Sequence, residues 1–188
     1  PNDRVTSIGG SAFYGCSSLA EIVIPNSITV IESYIFYNCR NLTSVTIPDS
    51  VTSIGSAAFS GCSSLTSITI PDSVTSIGTD AFEGCTSLPQ EGGVTYVGNW
   101  IVACDESVSE VVCREGTIGI ANGVFEDCFY MKTITIPTSL DFIGDSAFYA
   151  YRVKDIYYAG SEKQWRRIRI GQFNNTLSNA TFHYNYVP

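Results

Sequence analysis

The sequence predicts an α/β solenoid of stacked 23-residue coils, strand-rich, with short helical turns and a helix/strand cap at its C-terminal end. Three observations carry that prediction. The phrase "VTSIGSAAFSGCSSLTSITIPDS" at residues 51–73 recurs with small changes from residues 5, 28 and 74. Aligned on its first residue, the apolar positions form columns: Ile8, Ile31, Ile54, Ile77, Ile120 and Ile143; Phe13, Phe36, Phe59, Phe82, Phe125 and Phe148; Leu19, Leu42, Leu65, Leu88 and Met131. Within each copy, "LTSITIP" alternates apolar and polar residues as a half-buried strand does.

Each part of the copy has a local reason. Leu65, Ile68 and Ile70 point inward, whereas Thr66, Ser67 and Thr69 point out. Pro71 ends the strand, and Asp72 and Ser73 supply turn chemistry through bonds to the nearby backbone. "SAAFSGC" is long enough for one helical turn that drives Phe59 into the core, with Gly61 easing the chain out. About seven inward side chains at roughly 1.5–3 kcal/mol each give a coil on the order of 10–20 kcal/mol gross. Ordering its backbone at about 1–2 kcal/mol per residue costs more. A single coil is therefore not expected to fold alone, and repetition is what makes it stable.

The rhythm breaks once. Copies start at Val5, Ile28, Val51 and Val74, then at Thr117 and Leu140, so the interval from 74 to 117 is 43 residues and not twice 23. From Val94 the chain realigns, "VTYVG" on "VTSIG" and "VSEVVC" on "LTSITI", which gives Val108, Val111 and Cys113 core positions. That register places Asp105 in the cysteine column, where a carboxylate is costly to bury, so the backbone is expected to depart from the standard coil there. Gly98-Asn99 between "VTYV" and "WIVAC" suits a two-residue hairpin turn. The expectation is an irregular hairpin coil over about 89–107, centred on 94–104, with Trp100 either covering the core or exposed for contact.

At the C-terminal end, "SEKQWRRIRI" carries a capping box, Ser161 with Gln164 three residues on, and Trp165 and Ile168 share a face. "ATFHYNY" alternates as a last strand. The predicted organisation is a repeat array over residues 1–158 and a cap over 159–188. Arg152, Lys154, Lys163, Arg166, Arg167 and Arg169 concentrate six of the ten basic residues within residues 152–169, read as a solvated face in preference to an anion site. Pro1-Asn2-Asp3-Arg4 resembles the turn at Pro71-Asp72-Ser73, so the chain is expected to begin in mid-array with upstream coils or a signal peptide missing.

The ordered motifs Ile-Pro-x-Ser, Ser-Ile-Gly, Ala-Phe and Gly-Cys, as in "LTSITIPDSVTSIGTDAFEGC", resemble the BspA-like leucine-rich repeats of bacterial cell surfaces. The resemblance covers most of residues 1–158, and "IYYAGSEKQWRRIRIG" with "NATFHYN" resembles the segment that closes such arrays. It implies a leucine-rich-repeat right-handed superhelix, secreted or displayed at the cell surface. It further implies a non-enzymatic binding or adhesion module that recognises protein or glycan on a host or neighbouring cell.

Composition narrows the function classes. A net charge of −8 argues against nucleic acid and anionic membranes as general partners. The apolar runs are far shorter than the roughly 20 residues of a membrane span, so no membrane insertion is expected. Of the seven cysteines, Cys16, Cys39, Cys62 and Cys85 are 23 residues apart, which reads as packing; a bridge between stacked neighbours stays open. No metal site or cofactor is expected, because CxxC is absent and His183 is the sole histidine. Asp49 and Asp72 read as turn residues in preference to a calcium ladder. Asp105-Glu106 and Glu126-Asp127 read as solvated acids, and no nucleophile has a base at hand. The outward strand positions remain. They are near-uniform Thr and Ser early and become varied later, and Glu110, Val112, Lys132, Thr133, Thr135, Lys154, Asp155 and Tyr157, with Trp100, are the candidate partner contacts. The alternative is a passive spacer within a longer surface protein.

Overall fold

The computed structural model describes residues 4–149 and 153–187. Two compact units emerge, Pro1–Pro89 with Tyr96–Gly98, and Gln90–Thr95 with Asn99–Pro188. Arg152 of the basic cluster lies outside the described residues.

The first unit is built from two parallel ladders. β1 (Glu21–Val23), β3 (Ser44–Thr46) and β5 (Ser67–Thr69) form one, with Ile22, Val45 and Ile68 in register. β2 (Val30–Ile31), β4 (Ser53–Ile54) and β6 (Ser76–Ile77) form the other, with Ile31, Ile54 and Ile77 aligned and buried. The predicted columns are thus columns in space. Phe13, Phe36, Phe59 and Phe82 stack with ring centroids 5.4, 5.3 and 5.1 Å apart.

The helical turn expected over 56–62 is instead a chain of turns, and backbone bonding explains the difference. Ala58, Ser60 and Cys62 donate their N–H groups three residues back, whereas Ala57, Phe59 and Gly61 donate to Thr79, Ala81 and Glu83 of the following coil. A helix would turn all six inward on itself. The alternation requires left-handed backbone at Ala57 (φ 51°) and Gly61 (φ 76°), which halts helical propagation and leaves every second N–H for the neighbour.

Two hydroxyl and thiol ladders reinforce the stack. The serine of Ile-Pro-x-Ser bonds the preceding coil and not the local turn: Ser50 donates to Ile28 O at 2.6 Å and Ser73 to Val51 O at 2.6 Å. Cys39, Cys62 and Cys85 donate their thiols to the carbonyls of Phe13, Phe36 and Phe59 at 3.0, 3.1 and 3.1 Å. Burial pushes the Cys62 thiol up to about 12.

The chain after Pro89 is irregular. β7 (Gln90–Glu91) pairs antiparallel with β8 (Val94–Val97) through Gly92 and Gly93, both at positive φ (58° and 82°), a hairpin that the sequence reading missed. The Gly98–Asn99 turn leads from β8 to β9 (Trp100–Cys104), its neighbour in the same sheet. Val111 and Cys113 are buried as expected, and Asp105 leaves the core: it is exposed and accepts bonds from the Ser107 backbone and hydroxyl. Those bonds, the hydroxyl's first, hold its carboxyl below the usual range.

Regular stacking then resumes. β9, β11 (Gly119–Ile120), β13 (Phe142–Ile143) and β15 (Arg169–Ile170) run parallel on one side. β10 (Glu110–Val112), β12 (Thr133–Ile136), β14 (Asp155–Tyr158) and β16 (Thr181–Tyr184) run parallel on the other. α1 (Glu162–Trp165) starts at Ser161, whose N–H donates to Gln164 Oε1 at 2.9 Å, the reciprocal bond of the capping box, and whose hydroxyl donates to the same oxygen at 2.8 Å. Before α2 (Asn175–Asn179), Asn174 does what a following coil does elsewhere. Phe125 N–H donates to Ala147 O, but Phe148 N–H donates to Asn174 Oδ1 at 2.9 Å, while Asn174 Nδ2 donates to the carbonyls of Gly144 and Gly171.

Candidate interaction face

The outward side chains of β10, β12, β14 and β16 form the most varied surface of the second unit, and strand register sets their columns. Glu110, Thr133, Asp155 and Thr181 make one; Val112, Thr135, Tyr157 and His183 make another. Between them run Val111, Ile134, Ile156 and Phe182, which face the core. Just ahead of the strands, Ser109, Lys132 and Lys154 form a third column, since Lys132 N–H donates to Ser109 O and Lys154 N–H to Lys132 O, each at 2.8 Å. Neighbouring strands lie roughly 4.8 Å apart, so the two exposed lysines stand side by side. Neither is ion-paired to a described residue.

The equivalent column of the first unit is committed to the scaffold. Thr43 Oγ1 donates to Ala20 O at 3.0 Å and Thr66 Oγ1 to Thr43 O at 3.4 Å. A lysine cannot reproduce that bond with its own neighbour and projects outward.

Tyr157 is the centre of the varied face. His183 stacks on it at 4.5 Å with planes 12° apart, and Tyr186 approaches at 4.8 Å and 53°. His183 Nε2 donates to Asp155 Oδ1 at 2.8 Å, fixing the imidazole over the phenol. Val112 adds an apolar spot, 55% exposed. Sequence reasoning set His183 aside as a lone cap residue and passed over Tyr186. The signal was present in "ATFHYNY": placing Phe182 on the inward position of Ile156 puts His183 beside Tyr157.

Eight of the candidate contacts, all but Trp100, therefore share one sheet face. Trp100 is corrected. It is 2% exposed, packed over the α-carbon of Gly119 and 5.6 Å from the Phe142 ring, which leaves no surface for a partner. Its register explains the burial, because Trp100, Gly119, Phe142 and Arg169 are successive positions of one ladder. Only glycine leaves room for the indole, and the Arg169 guanidinium covers Phe142 at 3.8 Å. Of the other basic residues, Arg166 pairs with Glu162 one helical turn away.

A recess of about 350 Å³ lies by α2, walled by Trp165, Phe173, Leu177 and Phe182 with Asn174 and Asn175. No titratable side chain lines it, and the Asn174 amide is engaged on both atoms. Among the described residues, no group of three or more His, Cys, Asp or Glu side chains is placed to hold a metal ion, and no helix is long and apolar enough to cross a membrane.

Six copies of the BspA type leucine rich repeat region match the chain, over residues 1–91 and 95–186. The chain belongs to that family. The matched residues include the serines of Ile-Pro-x-Ser and the column cysteines whose hydroxyls and thiols link successive coils. No curated protein sequence matches the chain. Solved structures resemble it at low identity. A leucine rich cell surface protein of Faecalibacterium prausnitzii is 23% identical over 85% of this chain and 65% of its own, with a TM-score of 0.46. The leucine rich repeat protein of T. pallidum is 22% identical over 82% and 70%, with a TM-score of 0.43. A leucine-rich repeat protein of Bacteroides ovatus is 24% identical over 94% and 58%, with a TM-score of 0.43. The BspA-type chain thus spans less than two thirds of the F. prausnitzii and B. ovatus proteins.

Proposed function

We propose that the chain is a non-catalytic binding module of a secreted or surface-displayed protein, and that it grips a protein partner through the outward face of β10, β12, β14 and β16. One observation supports this most. The column that in the first unit bonds to its own scaffold, Thr43 and Thr66, becomes a pair of unbonded cations, Lys132 and Lys154, beside an ordered aromatic cluster. Repeat arrays present such faces to partners, and aromatic and cationic side chains dominate binding energy at protein interfaces.

A glycan is the less favoured ligand. Tyr157 already has His183 stacked on one side and Tyr186 close by, so the cluster offers ring edges and hydroxyls in place of an open aromatic face. The contacts are Glu110, Val112, Lys132, Thr133, Thr135, Lys154, Asp155 and Tyr157, with His183 and Tyr186 added. Residues 159–188 serve as the closing segment of the array.

Binding to immobilised extracellular-matrix proteins and to a glycan array, measured for the wild type and for the Lys132→Ala, Lys154→Ala, Tyr157→Ala triple variant, tests the reading. Loss of about tenfold or more in protein affinity, with melting unchanged, is expected. Equal binding by the two forms, or no partner at micromolar concentration, rejects it in favour of a passive spacer.

A further inference from the structure

The cysteine column changes its chemistry in the irregular coil. In the first unit the carbonyls of Phe13, Phe36 and Phe59 each receive a single thiol, from the cysteine 26 residues further on. Cys128 occupies the regular column position 23 residues after Asp105, and its thiol reaches the Asp105 carbonyl at 3.7 Å. Cys104 stands one residue outside that column, where the repeat calls for no cysteine at all. Its thiol reaches the same carbonyl at 3.5 Å. Two sulfurs from successive coils therefore converge on one oxygen. The Cys104 thiol is pushed up in pKa, first by hydrogen bonding with Cys128 and then by burial.

We propose that Cys104 and Cys128 are a disulfide-forming pair, which in oxidising surroundings cross-links the irregular coil to the coil that follows it. The column cysteines Cys39, Cys62 and Cys85 remain thiols, each held by its own carbonyl. The oxidant is a low-molecular-weight disulfide. Cys104, the partly exposed member, loses its proton and attacks one sulfur of the oxidant, releasing the first small thiol and leaving a mixed disulfide. Buried Cys128 loses its proton and displaces the second small thiol from that mixed disulfide, forming the Cys104–Cys128 bond. Two protons and two electrons pass from the protein to the oxidant, which becomes two thiols. The raised Cys104 pKa makes the first step slow at neutral pH and faster in mild alkali.

The inference stands apart from the proposed binding role and is tested without a partner. The whole chain is incubated with oxidised glutathione at pH 8.5, quenched in acid, alkylated under denaturing conditions and digested for peptide mass mapping. A linked peptide pair joining Cys104 to Cys128 is expected, released by dithiothreitol, together with a melting midpoint raised by several degrees. The linked pair is expected to be absent from Cys104→Ser. Should that variant fold poorly, the wild-type map alone decides. Recovery of Cys104 and Cys128 as alkylated peptides, capture of Cys104 as a persistent glutathione adduct, or a linkage among Cys39, Cys62 and Cys85 overturns the proposal.

Discussion

The two units are built on the same kind of apolar column and differ in what they do with their outer strands. In the first, Ser44 and Ser67, Thr46 and Thr69 repeat in register, and Thr43 and Thr66 tie their hydroxyls to the coil behind. In the second, the same columns read Glu110, Thr133, Asp155 and Val112, Thr135, Tyr157, with lysines ahead of them. Inside, each unit keeps buried phenylalanine and isoleucine columns. Packing leaves little choice of inward residue, whereas an outward residue is free to change once its bond to the scaffold is given up. The repeat therefore preserves the fold while its face is rewritten.

The largest effect expected concerns alkali. Burial raises the Cys62 and Cys113 thiols to about 12 from 9.0 and pushes Cys39 and Cys85 up as well. A thiol whose folded pKa lies above its unfolded one contributes stability that is complete below pH 9 and is lost as pH rises toward 12. Denaturation midpoints followed from pH 8 to 12 should hold level and then fall until the folded signal disappears. A midpoint flat to pH 12 would show that the column is not buried.

Phe59→Ala is expected to cost about 3–5 kcal/mol, and Phe125→Ala a similar amount, because both rings are 0% exposed. Chemical denaturation of the two variants tests the claim that the cores are equivalent. Asn174→Ala should cost about 1–3 kcal/mol, since it leaves the buried Phe148 N–H without a partner and removes the amide's bonds to the Gly144 and Gly171 carbonyls. Its thermal midpoint should drop well below that of an exposed asparagine change such as Asn175→Ala. The smallest effect is an exchange between faces. Thr43→Lys removes a hydroxyl bond and should cost about 0.5 kcal/mol, whereas Lys132→Thr should leave melting unchanged and weaken binding. A destabilised Lys132→Thr would mean that the second face is scaffold too.

Much of this was legible in the sequence for a definite reason. Ile31, Ile54 and Ile77 repeat because stacking repeats, so their spacing alone located the ladder. The gap before Thr117 located the irregular coil, and a carboxylate in an apolar column predicted that Asp105 would swing out. What escaped depends on direction in place of spacing. Nothing in "PDS" says that the serine reaches 22 residues back and not into its own turn. "SAAFSGC" has helix-forming residues, and only the neighbouring coil's demand for alternate N–H groups forces Ala57 into left-handed backbone. Trp100 is buried because Gly119, 19 residues on, has no side chain, a pairing across the break in the period. On the face, Lys132, Lys154 and Tyr157 were found by alternation. His183 was missed because its strand was not aligned with β14.

Asn174 shows that a side chain can stand in for a stretch of coil. Its amide oxygen accepts from Phe148 N–H as Ala147 O accepts from Phe125 N–H. The main chain is thereby released at that one position to run into α2 in place of another coil turn.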